Sequence, residues 1–127
     1  MASAPTPTPA ASSGMTDNVA GALSYITLVG IIFLLIEPYN KNRFVRFHAF
    51  QSIFFCVGII AFEIVWYILA GILVHLSLGL LGILGLVGML IGLGIFVCWI
   101  FLVIKAYGNQ EFKLPIIGDL AAKQAGA

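Results

Sequence analysis

NVAGALSYITLVGIIFLLI, residues 18–36, carries no charged side chain. As one α-helix it would extend ~28 Å, close to the ~30 Å of bilayer hydrocarbon. That length reads it as the first of the spans. EPYNKNR follows, where Pro38 stops a helix and Glu37, Lys41 and Arg43 belong in water or among headgroups. A second apolar run extends from Ala49 to Val74, with Glu63 as its one charge and Trp66, Tyr67 and His75 toward its far end. A third runs from Leu80 to Ile104. HLSLG, residues 75–79, is short enough to join the last two as an antiparallel hairpin. The pattern predicts an all-α integral membrane protein with three transmembrane helices, a basic cytoplasmic loop and an interfacial C-terminal tail. In that tail YGN is a turn signal, and LPII followed by GDLAAK reads as a short helix on the membrane.

Composition agrees with a bilayer as solvent. Apolar residues make up 61% of the 127 and charged residues 9%. A chain this small could not hide so much apolar surface from water. The net charge of +1 gives no argument for nucleic acid. Cys56 and Cys98 lie inside apolar runs and match neither a disulfide framework nor a zinc spacing. Residues 1–17, rich in Ala, Pro and Thr, read as a disordered tail without the positive start of a signal peptide. The membrane domain is drawn at 18–123 and a disordered end at 124–127.

The six Lys and Arg residues fall in two groups. Lys41, Arg43 and Arg46 sit in the first loop; Lys105, Lys113 and Lys123 sit in the tail. Three spans put both groups on one face, whereas four would separate them. The positive-inside rule then places both in the cytoplasm and the N-terminus outside, in a bacterial cytoplasmic membrane. Lys41, Arg43 and Arg46 read as topological anchors that reach anionic headgroups, with a dedicated partner site as the alternative.

Continued as a helix, NRFVRFHAFQS (residues 42–52) puts His48, Ser52, Cys56, Glu63 and, less closely, Tyr67 on one stripe. A polar stripe on an apolar helix should face other helices. Glu63 falls ~21 Å along the span, near mid-bilayer. A carboxyl there is either protonated or hydrogen-bonded by a neighbouring span. Matching depths across three spans names Ser24 and Tyr25 as its partners. Gly88 and Gly92 form a small-xxx-small pair for close helix packing, within the chain or in a homo-oligomer, or for lining a path. Glu63 reads as a structural group or as a proton or cation site; both remain open.

No phosphate loop, dinucleotide fingerprint, HExxH or GxSxG is present, and His48, Cys56 and Cys98 differ too much in depth to share a metal. Enzyme is the least supported class, and no cofactor or metal is expected.

Two blocks carry a family resemblance: Phe44 to Ser52 (FVRFHAFQS) and Lys113 to Asp119 (KLPIIGD). With them, residues 18–122 resemble a bacterial and archaeal membrane family of unknown function. That family is similar in turn to the chloroplast inner-envelope import component of the Tic twenty family. The plastid members are associated with protein translocation and described as four-span. The resemblance implies that Arg46, His48, Gln51 and the turn formed by Pro115, Gly118 and Asp119 meet on the cytoplasmic side. Charge permits Asp119 to pair with Arg43 or Arg46. The reading that results is a small non-catalytic assembly or accessory subunit, partnered by the bilayer and by itself or other membrane proteins. The alternative is a component of a channel or protein translocase.

Overall fold

A computed structural model of the chain describes residues 15–126; residues 1–14 of the expected tail lie outside the described residues. It is all-helical. In order come α1 (Asp17–Leu23), α2 (Thr27–Leu35), a 3-10 turn at Tyr39–Lys41, α3 (Arg43–Leu76), α4 (Leu80–Tyr107) and α5 (Ile117–Gln124). Asp17 opens α1 and Gln124 closes α5, so helix extends past the 18–123 boundaries at both ends.

Among the described residues two helices, not three, are long and apolar enough to cross a membrane: α3 and α4. Their 34 and 28 residues extend ~51 and ~42 Å, beyond the hydrocarbon thickness. Ser77–Gly79 joins them as the expected hairpin. Most of their surface is open, and their apolar side chains make sense against lipid. α3 starts at Arg43, six residues before the apolar run, because Asn42 caps it. The Asn42 Oδ1 accepts from the Phe44 and Val45 N–H groups at 2.9 and 3.3 Å, satisfying donors that a helix start leaves free. Its Nδ2 donates to Asp17 Oδ1 at 2.7 Å, tying the starts of α1 and α3 together.

The stretch expected to be the first span is instead broken at Ser24–Ile26. Its two pieces have 7 and 9 residues, ~10 and ~14 Å, and neither can cross. Local chemistry favours the break. Ser24 Oγ bonds back to the Ala20 carbonyl at 2.9 Å, a geometry that bends helices. Tyr25, Ile26 and Thr27 follow, aromatic and β-branched residues of modest helix propensity. α1 runs along the last turns of α4, from the Asn18 Nδ2 bond to the Tyr107 carbonyl (3.0 Å) to Tyr25 beside Leu102. α2 turns back along α3, from the Thr27–Ser52 hydroxyl pair to Phe33 against Val45. Gly30 permits the reversal, since a Cβ there would stand 2.7 Å from the Ser24 carbonyl oxygen.

The result is a V that enters from the Arg43–Tyr107 end of the hairpin and leaves by the same end. Asp17 and Asn18 therefore lie beside Asn42 and Tyr107, at the same end of the hairpin as the basic loop, where a crossing first run would put them at the other. α4 closes at the YGN signal, where Asn109 takes the left-handed conformation (φ 63°). The chain then descends beside α3 and turns back into α5, whose Ala121, Ala122 and Ala125 pack on Phe47.

Labelling tests this topology. In a chain with Cys56 and Cys98 replaced, Thr16→Cys and Gln110→Cys are expected to react with an impermeant maleimide from one face and Ser77→Cys from the other. Thr16→Cys reacting from the Ser77 face would restore three spans.

Candidate functional site

The buried polar groups converge where the V, α3 and the segment after α4 meet. Gln51, on the buried face of α3, is at the centre with 0% exposure. Its Nε2 donates to the Tyr25 hydroxyl at 2.7 Å and to the Phe112 carbonyl at 2.9 Å. Its Oε1 accepts the Leu114 N–H at 3.0 Å. Tyr25, 2% exposed at the bend of the V, stands 2.8 Å from His48 Nδ1. The phenol oxygen accepts from Gln51 and shares a hydrogen bond with His48 Nδ1, whose direction follows the imidazole tautomer. Burial pushes the phenol above its ordinary pKa, which keeps its proton in place.

Rings of Tyr25, Phe44 and Phe47 meet the His48 imidazole edge-on. Nε2 has no hydrogen-bond partner; Asn40 Oδ1 is the other such buried side-chain atom among the described residues. A second anchor holds the bend itself: the Trp99 indole donates to the Tyr25 carbonyl at 2.8 Å. This satisfies a backbone group that the break exposes at depth.

Of the residues singled out in the sequence, Ser24, Tyr25, His48, Gln51 and Ser52 come together here. Ser24 and Tyr25 do not serve Glu63. Ser24 turns to Ala20, and Tyr25 to His48 and Gln51. Glu63 lies 11 residues, ~16 Å, farther along α3 than Ser52. It is half-buried and has no hydrogen-bond or ion-pair partner among the described residues. Depth matching failed because the first run turns back before that level.

Arg46 points along α3 to the end of α5, donating to the Gln124 carbonyl at 2.9 Å and the Ala125 carbonyl at 3.3 Å. It also reaches the Asn40 carbonyl at 3.2 Å. A cation on the last carbonyls of a helix is favourably placed against its dipole. Asp119 pairs with Lys113 at 3.5 Å, not with Arg43 or Arg46, and both partners are well exposed. Arg43 is held by both carboxylate oxygens of Glu111 at 2.9 Å. Pro115 and Gly118 form the reversal into α5. Gly118 has no room for a Cβ against the Lys113 backbone, and Ile116 takes a left-handed φ of 67°. At Gly88 a Cβ would stand 3.1 Å from Trp66 Nε1, so α3 and α4 pack closely there, while at Gly92 the space is open.

Among the described residues no three of His, Cys, Asp or Glu gather as metal ligands would. Sequence reasoning missed Trp99, Asn42 and Glu111; of these, only Asn42 before a helix carried a local signal, as a cap.

A family model described as the magnetosome magnetite crystal formation protein family matches residues 14–121. The chain is 39% identical over 114 residues to a "UPF0132 membrane protein" of Archaeoglobus fulgidus, covering 88% of this chain and 98% of that one. It is 36% identical over 112 residues to a UPF0132 membrane protein of Methanocaldococcus jannaschii, covering 87% and 89%. No solved structure matches.

Gln51→Leu tests the junction. It strands the Phe112 carbonyl and the Leu114 N–H in a buried setting, at about 1–3 kcal/mol for each group. Thermal unfolding in mild detergent is expected to show a clear loss of stability. Tyr25→Phe, which frees His48 Nδ1 and one Gln51 N–H, is expected to lose less.

Proposed function

The chain belongs to the magnetosome magnetite crystal formation protein family, and from that premise we propose that it is a non-catalytic assembly or accessory subunit of its membrane. The observation that carries this reading is where the buried polar chemistry goes. Tyr25, Gln51 and Ser52 bind one another's segments, so the polar centre fastens the fold. What the chain offers outward is the apolar surface of two spanning helices. The family description attaches these proteins to crystal formation in magnetosomes. A chain of this design serves such a membrane by organising neighbouring proteins and lipids.

The basic end, with Lys41, Arg43, Arg46 and the start of α1, is read as cytoplasmic by the positive-inside rule. The membrane is read as a bacterial cytoplasmic membrane or one derived from it. Lys41 is bridged to Glu37 at 3.3 Å in a highly exposed pair worth little in water, so it is the cation best placed for an anionic headgroup. Arg46 is occupied by α5.

The alternative is a channel or protein-translocase component, in line with the plastid-import likeness of the two sequence blocks. One observation favours it. Glu63 shares a helical stripe with Cys56, which lines a gap opposite Gly92.

Glu63→Gln separates the two. For a subunit, crosslinking in intact membranes is expected to capture the same neighbours from the wild type and the variant. Proteoliposomes of either should then show no ion or proton flux. A flux that the wild type supports and Glu63→Gln diminishes would overturn the proposal.

A further inference from the structure

α3 and α4 are spread at one level by the V and drawn together at another. The Trp66 indole lies against Gly88, and one turn nearer the basic end Gly92 has no neighbour within 4 Å of where a Cβ would be. Between these levels the helices part. The bend of the V closes the gap from the basic end, with Tyr25 and Thr27 as its roof. The space is about 300 Å³. Phe55, Cys56 and Ile59 of α3 face Gly92, Ile95 and Phe96 of α4 across it.

We propose that this groove holds one hydrocarbon chain of a membrane phospholipid as a resident part of the fold.

Three observations select that occupant. The groove is continuous with the lipid-facing surface, because two of its lining residues, Ile60 and Phe96, are each 54% exposed on the outside of the spanning helices. A chain can therefore enter sideways from the surrounding lipid. The polar atoms at the roof are already paired. The Thr27 and Ser52 hydroxyls bond each other at 3.0 Å, and the Tyr25 carbonyl takes the Trp99 indole. Nothing there calls for water or a polar ligand, and an apolar space of this kind stays dry. Left empty, its lining would forgo dispersion contacts on one side. The volume decides against a second copy of the chain: a helix ~10 Å across would place less than one turn in it. A slender, flexible hydrocarbon chain fits where a helix does not.

The occupant links regions that otherwise touch little at this level. It would pack beneath the bend of the V and along both spans, so the roof at Tyr25–Thr27 rests on lipid as well as on protein.

Native mass spectrometry of the whole chain, released from mild detergent, tests this. The wild type is expected to carry about one phospholipid per chain through delipidating washes. Gly92→Leu fills the groove from a position with open space and is expected to lower that retention by about tenfold or more, a difference of ~1.4 kcal/mol. Gly94→Leu, equally unobstructed but outside the groove lining, is expected to keep the lipid. If Gly92→Leu fails to accumulate, Ile95→Phe fills the same space from the same helix and is read in its place. A wild type that emerges lipid-free overturns the proposal. So does equal retention in Gly92→Leu, or in Ile95→Phe where it is read instead, and Gly94→Leu. A groove-filling variant that converts a dimer to a monomer with lipid unchanged assigns the groove to a second copy and likewise overturns it.

Discussion

The side-chain amide of Gln51 bonds three segments that are far apart in the chain. Through Tyr25 it holds the bend of the V; through Phe112 and Leu114 it holds the strand-like descent after α4; and it stands on α3 itself. Each such bond contributes only about 1 kcal/mol net, because water would have served the same groups in the unfolded chain. Its larger effect is on register. A buried amide with two donors and an acceptor leaves each segment one position in which its backbone or hydroxyl is satisfied. A slip by one residue strands buried polar groups, and that loss exceeds what the bonds gain.

That fastening explains how non-helical backbone is tolerated near the membrane. An open bend in hydrocarbon would expose peptide groups with nothing to bond, at several kcal/mol each. Here the bend at Ser24–Ile26 is covered from both sides. The Trp99 indole takes the Tyr25 carbonyl, and the Ile26 N–H bonds the Leu23 carbonyl at 2.9 Å. The outer face of α2 is free to be apolar, and Leu28, Ile32 and Leu35 are exposed there. Lipid-compatible side chains outside and satisfied polar groups inside let a V with arms of 7 and 9 residues do without crossing.

Much of this was legible in the residues. The hairpin, its short loop, the turn at YGN and the small helix over GDLAAK follow from apolar run length and turn chemistry, and all are present. The polar stripe led to His48 and Ser52 as inward-facing groups, and both are buried. The first run was misread because hydropathy counts apolar residues and cannot see a backbone fold back. Ser24 and Gly30 carry the reversal, and each is ordinary in a span; only their juxtaposition, a carbonyl against an absent Cβ, gives them meaning. The Glu63 assignment inherited that error, since depth matching assumes that every run crosses. The Asp119 pairing failed for a different reason. The close approach of Gly118 to Lys113 brings the lysine to Asp119, while Arg43 and Arg46 are engaged by Glu111 and by the end of α5.

The two fastenings on α3 differ in how they relate to the family. The family model covers residues 14–121, which includes every bond that Gln51 makes. The α5-end carbonyls that Arg46 holds, those of Gln124 and Ala125, lie just beyond it. The Gln51 junction sets the path of the chain. Without it the V and the descending segment have no common anchor. The Arg46 clasp is more local, holding an eight-residue helix onto Phe47 through alanines of little contact area. A helix so short is marginal alone and owes its persistence to such a clasp. The fold is thus organised from Gln51 outward, with the two spans fixing depth, the V fixing their spread at the basic end, and α5 completing that end.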